Sequence, residues 1–180
     1  MIDQAILSRS QLIYTYEEID SAINQIAKEL NRKFKNKKAL ILPVLTGAIP
    51  FIGMLLPRLS FAIEVNYFHV SRYQSNVGTN QIKITHQPSH ESVFNQEVLV
   101  VDDILDAGIT LKLINDQLTT MKPKSISSVV LFEKQLDTKK EISADYVGLV
   151  VPDAYIFGFG LDFNGAGRNI PDLYAFNEEY

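Results

Sequence analysis

The chain has 180 residues, a length typical of one domain, and contains no cysteine. The lack of cysteine excludes disulfide scaffolds, cysteine-ligated metal sites and thiol nucleophiles. With 21 acidic and 17 basic residues the net charge is −4, which argues against sequence-independent binding of nucleic acid. The first residues lack the basic and apolar regions of a signal peptide, so we expect a cytoplasmic protein.

The first predicted element is an amphipathic helix. Thr15-Tyr16-Glu17-Glu18 has the form of a capping box, in which the hydroxyl and the carboxylate satisfy free amides at a helix start. Apolar residues from Ile19 to Phe34 follow at spacings of three and four, and the basic cluster Arg32–Lys38 suits the end of a helix. The pattern predicts a helix that packs one face on the core.

The uncharged run from Ala39 to Pro57 is long enough to cross a membrane as a helix. Two prolines and two glycines interrupt it, however, and a proline inside a helix costs about 3 kcal/mol. We therefore predict a buried strand over Ala39–Leu45, then a turn, then a helix that starts near Pro50. No membrane span is expected.

The rest of the chain alternates apolar strands with polar segments. Further strands are predicted at Phe61–Val70, Gln81–Thr85, Glu97–Val101, Ser127–Phe132, Tyr146–Val151 and Leu173–Phe176. A helix is predicted over Thr110–Met121, and loops are predicted at 71–80, as a long loop or mobile hairpin, and at 87–96. This order indicates an α/β fold with a mostly parallel twisted sheet flanked by helices. Residues 152–180 are predicted to form most of a small irregular hood, within one domain of residues 1–180.

The segment Val98–Leu111 is the most informative. An apolar strand is followed by Asp102 and Asp103, then by a turn with Asp106 and Gly108, then by a helix. Ligands of open α/β sheets bind at the carboxyl ends of strands, and free amides at a helix start bind anions, so the turn suits a phosphate. The three carboxylates instead suit sugar hydroxyls and a hydrated Mg²⁺. An aspartate pair alone also occurs as solvated turn residues or as a helix cap.

The whole segment resembles the phosphoribosyl pyrophosphate motif of type I phosphoribosyltransferases. Other segments resemble parts of the hypoxanthine-guanine branch of that family: Leu42–Ala48 its pyrophosphate loop, Ser71–Tyr73 its mobile catalytic loop, Leu131–Lys134 the strand end with its purine-contacting lysine, and Val151–Phe163 with Arg168 its C-terminal hood. The resemblance covers about residues 39 to 176 and implies the type I phosphoribosyltransferase fold.

The resemblance also implies a reaction. An enzyme of purine salvage would use Mg²⁺ to transfer a phosphoribosyl group from phosphoribosyl pyrophosphate to hypoxanthine or guanine, giving IMP or GMP and pyrophosphate. By resemblance, Asp106 is the general base near purine N7, and Asp102 and Asp103 hold the ribose hydroxyls, directly or through Mg²⁺. Asp162 would be a further Mg²⁺ ligand.

Other residues are implied to bind substrate. By resemblance, Lys134 donates to the 6-oxo group, Tyr155 stacks on the base, the Ile156 carbonyl accepts from a 2-amino group, and Arg168 binds pyrophosphate. The substrate-binding residues implied in this way are Leu45, Thr46, Gly47, Arg72, Tyr73, Asp102, Asp103, Ala107, Gly108, Ile109, Thr110, Lys134, Tyr155, Ile156 and Arg168.

The chain departs from many relatives at three positions. Thr46 replaces a lysine, Ala107 replaces a hydroxyl residue, and Arg72 replaces the serine of a Ser-Tyr pair. We hypothesise that Arg72 restores the missing positive charge when the mobile loop closes. His69, His86 and His90 lack metal-site spacing, and His69 is expected to pack or to lie at the surface.

Two other functions stay open at this stage. One is a non-catalytic protein of the same fold that binds nucleotide or phosphoribosyl pyrophosphate as an effector; the acidic net charge and the presence of Asp106 argue against it. The other is a xanthine-preferring enzyme. The resemblance also implies a homo-oligomer, a dimer or a tetramer. We expect no nucleic-acid partner because of the acidic net charge, and no membrane partner because prolines and glycines interrupt the uncharged run.

Overall fold

A computed structural model describes residues 4–74 and 80–176 of the chain. In chain order its elements are α1 (Gln4–Ser8), β1 (Ser10–Tyr14), α2 (Tyr16–Lys33), β2 (Lys38–Leu45), α3 (Ile49–Leu55), a 3₁₀-helix (Leu56–Arg58), β3 (Ala62–Val65), β4 (Phe68–Gln74), β5 (Asn80–His86), α4 (His90–Val93), β6 (Glu97–Leu105), α5 (Ile109–Thr120), β7 (Ser125–Lys134), β8 (Tyr146–Val151), β9 (Tyr155–Phe157) and β10 (Leu173–Phe176).

The central sheet confirms the predicted α/β fold. Its strands follow the order β5-β4-β2-β6-β7-β8, with β3 paired beside β2. All registered pairs in it are parallel except that of β4 with β5. One face packs on α2 and α3, and the other packs on α4 and α5. The parallel strands therefore end together at one edge of the sheet, where ligands of such folds bind.

Helix α2 begins as the capping box predicts. The Glu18 amide donates to the Thr15 hydroxyl, and the Glu18 carboxylate accepts from the Thr15 amide at 2.9 Å. Its apolar face is buried against the sheet and includes Ile19, Ile23 and Leu30, each fully buried. The predicted strand over 39–45 and the helix near Pro50 are also confirmed, as β2 and α3. No helix in residues 4–74 and 80–176 is long and apolar enough to cross a membrane.

The hood has more regular structure than expected. It contains a three-stranded antiparallel sheet in the order β1-β10-β9, so the N-terminal strand β1 joins the C-terminal segment. The sequence predicts β10 but neither β1 nor β9. These two strands have five and three residues, too few for an apolar alternation to stand out.

Of the two forms predicted for residues 71–80, a long loop or a mobile hairpin, the structure shows a hairpin, and the loop predicted over 87–96 is corrected. The strand predicted over 61–70 is two strands, β3 and β4, and β4 continues to Gln74, so residues 71–74 and 80 belong to a hairpin. Backbone pairing with β5 overrides the polar composition of this segment. Residues 75–79 of the predicted loop lie outside the described part. The loop predicted over 87–96 contains the short helix α4, capped by the Ser89 hydroxyl.

Candidate active site

A cleft of about 670 Å³ opens where the parallel strands end and the hood begins. Residues of β2, β4, β6, β7 and the hood line it, and it brings most of the predicted site together. The predicted site residues that line it are Leu45, Thr46, Gly47, Asp102, Asp103, Asp106, Thr110, Lys134, Tyr155, Ile156, Asp162 and Arg168. An adjoining cavity of about 450 Å³ takes in Ala107, Gly108 and Ile109. Arg72 and Tyr73 lie in β4, but their side chains lie outside the described part.

Strand β6 places the first two aspartates within the sheet. The prediction ends this strand at Val101, before the acidic pair, and that boundary is wrong. The ladder with β7 continues through Asp102, paired with Val130, to Leu105, paired with Glu133. Backbone pairing therefore fixes both aspartates on a strand, where they move less than on a turn.

Backbone amides hold the side chains of Asp102 and Asp103. The Asp103 amide donates to Asp102 Oδ1 at 3.0 Å, and the Ile104 amide donates to Asp103 Oδ1 at 2.8 Å. Burial raises the pKa of the Asp103 carboxyl, while a hydrogen bond with Asp102 and the charge of Arg168 act in the opposite direction. The surrounding residues thus stabilise the negative charge of Asp103 only in part.

Gly47 allows the backbone after β2 to approach this pair. A Cβ at Gly47 would lie 1.5 Å from Asp103 Oδ2, a distance that no side chain tolerates. The peptide bond between Leu45 and Thr46, one residue earlier, is cis. At Gly47 the chain therefore presents backbone, rather than a side chain, to Asp103.

The turn 106–110 connects β6 to α5. Gly108 precedes the helix with φ 83°, a left-handed conformation that glycine adopts without strain. The Lys112 amide donates to the Gly108 carbonyl at 2.9 Å, so regular helix bonding begins here. The backbone amides that precede Lys112 have no acceptor within the helix, so the turn 106–110 can bind an anion.

Lys134 ends β7 between two carboxylates. Its Nζ lies 3.6 Å from Asp106 Oδ2 and 3.7 Å from Asp153 Oδ1, and its side chain is 16% exposed. The lysine side chain therefore faces the general-base candidate across a short gap, where one ligand can contact both.

The hood side of the cleft contains an aromatic ring and a guanidinium. The Tyr155 ring packs edge-on against Phe163, with centroids 5.1 Å apart. Arg168 donates to the Gly160 carbonyl and to Asp162 Oδ1, both at 2.6 Å, and the Gly165 amide donates to Asp162 Oδ2 at 2.8 Å. The Gly160 carbonyl and Asp162 thus orient the guanidinium, and within residues 4–74 and 80–176 its other N–H donors can face a ligand.

Strand β4 adds His69, a lining residue that the sequence did not predict, and Ser71, which belongs to the segment that resembles the mobile catalytic loop. His69 Nδ1 lies 2.8 Å from the Thr85 hydroxyl, which also donates to the His69 carbonyl. Ser71 Oγ is buried and has no hydrogen-bond partner among the described residues. The pairing of Leu45 with His69 brings β4 to the cleft, and nothing in the local sequence signals that parallel register.

Comparison with known proteins places the chain in a family. Residues 13–164 match the family described as "Phosphoribosyl transferase domain". A hypoxanthine-guanine phosphoribosyltransferase of Bacillus subtilis (strain 168) is 33% identical over 162 residues, which cover 89% of this chain and 89% of that relative. The chain spans only 25% of the length of the bifunctional TilS/HprT proteins of Listeria monocytogenes, to which it is 35% identical over 162 residues.

The solved structures agree. A hypoxanthine phosphoribosyltransferase from Staphylococcus aureus superposes with a TM-score of 0.85 at 26% identity, covering 98% of this chain and 97% of that one. A hypoxanthine-guanine-xanthine phosphoribosyltransferase superposes with a TM-score of 0.79 at 31% identity, covering 93% of this chain and 97% of that one. The chain belongs to the phosphoribosyltransferase family, in its hypoxanthine-guanine branch, as the sequence motifs predict.

Proposed function

We propose that this chain is an enzyme that transfers a phosphoribosyl group from phosphoribosyl pyrophosphate to hypoxanthine or guanine, giving IMP or GMP and pyrophosphate. The observation that carries the proposal is the pairing of Asp106 with Lys134, whose charged atoms are 3.6 Å apart in the cleft. N7 and the 6-oxo group are neighbours on a purine, so one oxopurine can contact both side chains. Adenine carries an amino donor at that position and would meet the lysine's donors.

In this reaction the bond from purine N9 to ribose C1 forms as the bond from C1 to pyrophosphate breaks. The incoming base must lose the proton that it carries on N7. Asp106 accepts this proton, and Lys134, donating to the 6-oxo group, stabilises the negative charge that builds up on the base. Lys134 is the last residue of β7 and Asp106 directly follows β6, so the ends of two paired strands orient both groups before the base arrives.

The two ends of the phosphoribosyl donor have separate places. The turn 106–110 binds the 5′-phosphate with its backbone amides and with the hydroxyl of Thr110, a residue that lines both cavities. Since Ala107 has no hydroxyl, the backbone supplies that part of the contact. The guanidinium of Arg168 binds pyrophosphate at the hood side, close to the segment 45–47.

The hood encloses the base. Tyr155 is 43% exposed, and Phe163 packs on its edge, so a face of its ring is available for stacking. The Ile156 carbonyl belongs to β9, whose antiparallel pairing with β10 fixes its direction. We place this carbonyl opposite a 2-amino group, which guanine has and hypoxanthine lacks.

The residues present fit a Mg²⁺ ion that arrives with the substrate. No group of three or more His, Asp or Glu suited to hold a metal occurs among the described residues. Mg²⁺ usually binds one or two carboxylates together with substrate oxygens and waters, so the Asp102–Asp103 pair suffices. When bound, the ion neutralises charge on the leaving pyrophosphate. Asp162 is a further candidate ligand through the lone pairs that Arg168 and the Gly165 amide leave free.

An absorbance assay with phosphoribosyl pyrophosphate, Mg²⁺ and each of hypoxanthine, guanine, xanthine and adenine tests the proposal. We expect turnover with hypoxanthine or guanine and none with adenine. Turnover confined to xanthine would shift the assignment to a xanthine-preferring enzyme. Binding of phosphoribosyl pyrophosphate without turnover of any base would favour a non-catalytic effector-binding protein.

The role of Asp106 has its own prediction. Asp106→Asn removes the proton acceptor with little change in shape, so we expect kcat to fall by about 100-fold or more. Asp116→Asn, on the exposed face of α5 where Asp116 pairs with Lys112 at 2.7 Å, is the matched control and should keep full turnover. An Asp106→Asn variant as active as this control would remove the base role.

A further inference from the structure

A loop outside the cleft contacts both halves of the proposed site. We name residues 135–145, which join β7 to β8, the β7–β8 connection. The Glu141 amide of this connection donates to the Ala107 carbonyl at 3.0 Å. The backbone N and O of Ile142 lie 3.1 Å from the position that a Cβ on Gly108 would take. The β7–β8 connection therefore packs directly against the turn 106–110.

Lys140 ties the same connection to the base-binding half. Its Nζ donates to Glu133 Oε1 at 2.8 Å and to the Lys134 carbonyl at 2.6 Å. The Lys140 and Glu133 side chains are 16% and 26% exposed, so this ion pair is largely shielded from water. A shielded hydrogen bond from a charged donor is stronger than a typical neutral one.

The Lys140 ammonium donates to the Lys134 carbonyl where β6 has ended and β8 still pairs with β7, at Lys134 with Val151. The last registered pair of β6 and β7 is Leu105 with Glu133. One residue later β6 has left the sheet to form the turn 106–110, while Lys134 still belongs to β7. The ammonium of Lys140 donates to the Lys134 carbonyl at this point, beyond the end of the β6–β7 ladder.

We propose that Lys140 is a positioning residue that fixes the end of β7 relative to the turn 106–110. The inference rests on the proposed function, in which Lys134 contacts the base and the turn binds the 5′-phosphate. Lys140 acts through the Lys134 carbonyl on one side and through the neighbouring Glu141 amide on the other. It therefore sets the distance between the two groups that a nucleotide must span.

This role predicts a loss that depends on the ligand. IMP reaches from the base-binding lysine to the phosphate-binding turn, so its affinity depends on their separation. Ribose 5-phosphate contacts the turn and, through its hydroxyls, the Asp102–Asp103 pair, but it has no base to reach Lys134, so its affinity does not depend on that separation. A substitution that only weakened the fold would leave both dissociation constants unchanged in the folded protein, or would change both alike.

The experiment is calorimetric titration of the full chain with IMP and with ribose 5-phosphate. For Lys140→Met we expect the Kd of IMP to rise about tenfold and the Kd of ribose 5-phosphate to stay within about twofold. In the assay, KM for the oxopurine should rise about tenfold with kcat within about threefold. Lys139→Met, at the exposed neighbouring lysine, is the matched control and should change none of these values.

Two further variants separate the two bonds of Lys140. Glu133→Gln removes the ion pair but leaves the bond to the Lys134 carbonyl, so IMP should bind within about threefold of the unsubstituted protein. Lys140→Arg keeps the charge and the donors, and should restore most of the affinity that Lys140→Met loses. Should Lys140→Met fail to fold, Lys140→Leu takes its place with the same expected outcome, because leucine also has no hydrogen-bond donor.

Three results would each overturn the proposal. In Lys140→Met, these are unchanged IMP binding or an equal loss of affinity for IMP and ribose 5-phosphate. In Glu133→Gln, it is a loss of IMP affinity as large as in Lys140→Met. Failure of the proposed function is a different result. It would appear in the unsubstituted protein, as absence of turnover and of IMP binding.

Discussion

Strand β6 carries carboxylates at both ends, and the two ends are built in opposite ways. At its first residue, Glu97 is 8% exposed and accepts a hydrogen bond from the Ser125 hydroxyl. The ammonium groups of Lys37 and Lys124 lie 3.3 Å and 3.1 Å from it. The hydroxyl first, and then the two lysines, lower the pKa of Glu97 to about 2. The fold itself satisfies this charge.

The other end of β6 holds a charge that the fold satisfies less well. Burial raises the pKa of Asp103, and the opposing charge of Arg168 is shared with Asp162, to which the arginine donates at 2.6 Å. The two ends are separated by roughly 20 Å, six residues of extended strand. A carboxylate with complete partners stabilises the fold, whereas one left short of partners can still bind a ligand.

The largest expected loss of activity comes from a substitution that crowds Asp103, at the end of β6 that lines the cleft. Gly47→Ala places a Cβ 1.5 Å from Asp103 Oδ2, so either Asp103 or the segment 45–47 must move. We expect kcat/KM to fall by about 100-fold or more, since a displacement of about 1 Å costs that much in a catalytic site. Steady-state assays with hypoxanthine measure it.

The control for this variant is Gly53→Ala. A Cβ at Gly53, inside α3, meets nothing within 4 Å. Alanine is also the better helix former, so this variant should unfold at a slightly higher temperature and keep full activity. Equal activity of the two alanine variants would show that the close approach of Gly47 to Asp103 has no functional role.

A smaller and more telling effect is expected from Asp103→Asn. Because the pKa of Asp103 is raised in the fold, its ionised form costs stability, and this cost grows as the pH rises above the unfolded value. The asparagine variant avoids the cost, so its Tm at pH 7, without added Mg²⁺, should lie a few degrees above that of the unsubstituted protein. Its kcat/KM should fall about tenfold or more.

The prediction for Asp103→Asn depends on two opposite changes, a rise in Tm and a fall in kcat/KM. A variant that lost both would show that Asp103 belongs with Glu97 as a structural charge. The cost builds up as the pH rises above 3.8, the ordinary value of this carboxyl, so the difference in Tm should be larger at about pH 7 than at about pH 3, and denaturation scans at these two values measure it.

The sequence predicts the central sheet well because its signals are local. The apolar run of β2, the capping box at Thr15 and the helical spacing of α5 are each contained in fewer than 20 residues. The unpredicted elements depend on distant partners. Strand β1 pairs with β10, more than 150 residues away, and Leu12 in it is 47% exposed, so no apolar pattern marks it.

The same division holds at the site. The motif 98–111 and the hood segment contain the residues that line the cleft, and the resemblance assigned them roles that stay predictions. The sequence does not reveal His69, which reaches the cleft through pairing of β4 with β2. It does not reveal Lys140 either, since only the folded β7–β8 connection brings its ammonium to the Lys134 carbonyl.

The smallest expected effect lies at the other end of β6. Glu97→Gln removes a charge whose pKa is lowered to about 2 in the fold from about 4.5, so it should cost stability at pH 7. The partner lysines are 39% and 60% exposed, which leaves the pair open to screening, and we expect a loss of about 1 to 2 kcal/mol. Activity per folded molecule should be unchanged, because Glu97 lies far from the cleft.

The pH dependence of this loss tests its origin. Stability from a lowered carboxyl pKa is complete above about pH 4.5 and disappears as the pH falls toward 2, so the deficit of Glu97→Gln should shrink over that range. Urea unfolding at pH 7 and pH 3 measures it. Glu64→Gln breaks the 2.6 Å pair of Glu64 with Lys38, in which both side chains are about half exposed, and should cost under about 0.5 kcal/mol. Equal costs for the two glutamine variants would mean that burial adds nothing at Glu97, and the contrast between the two ends of β6 would then rest on the aspartates alone.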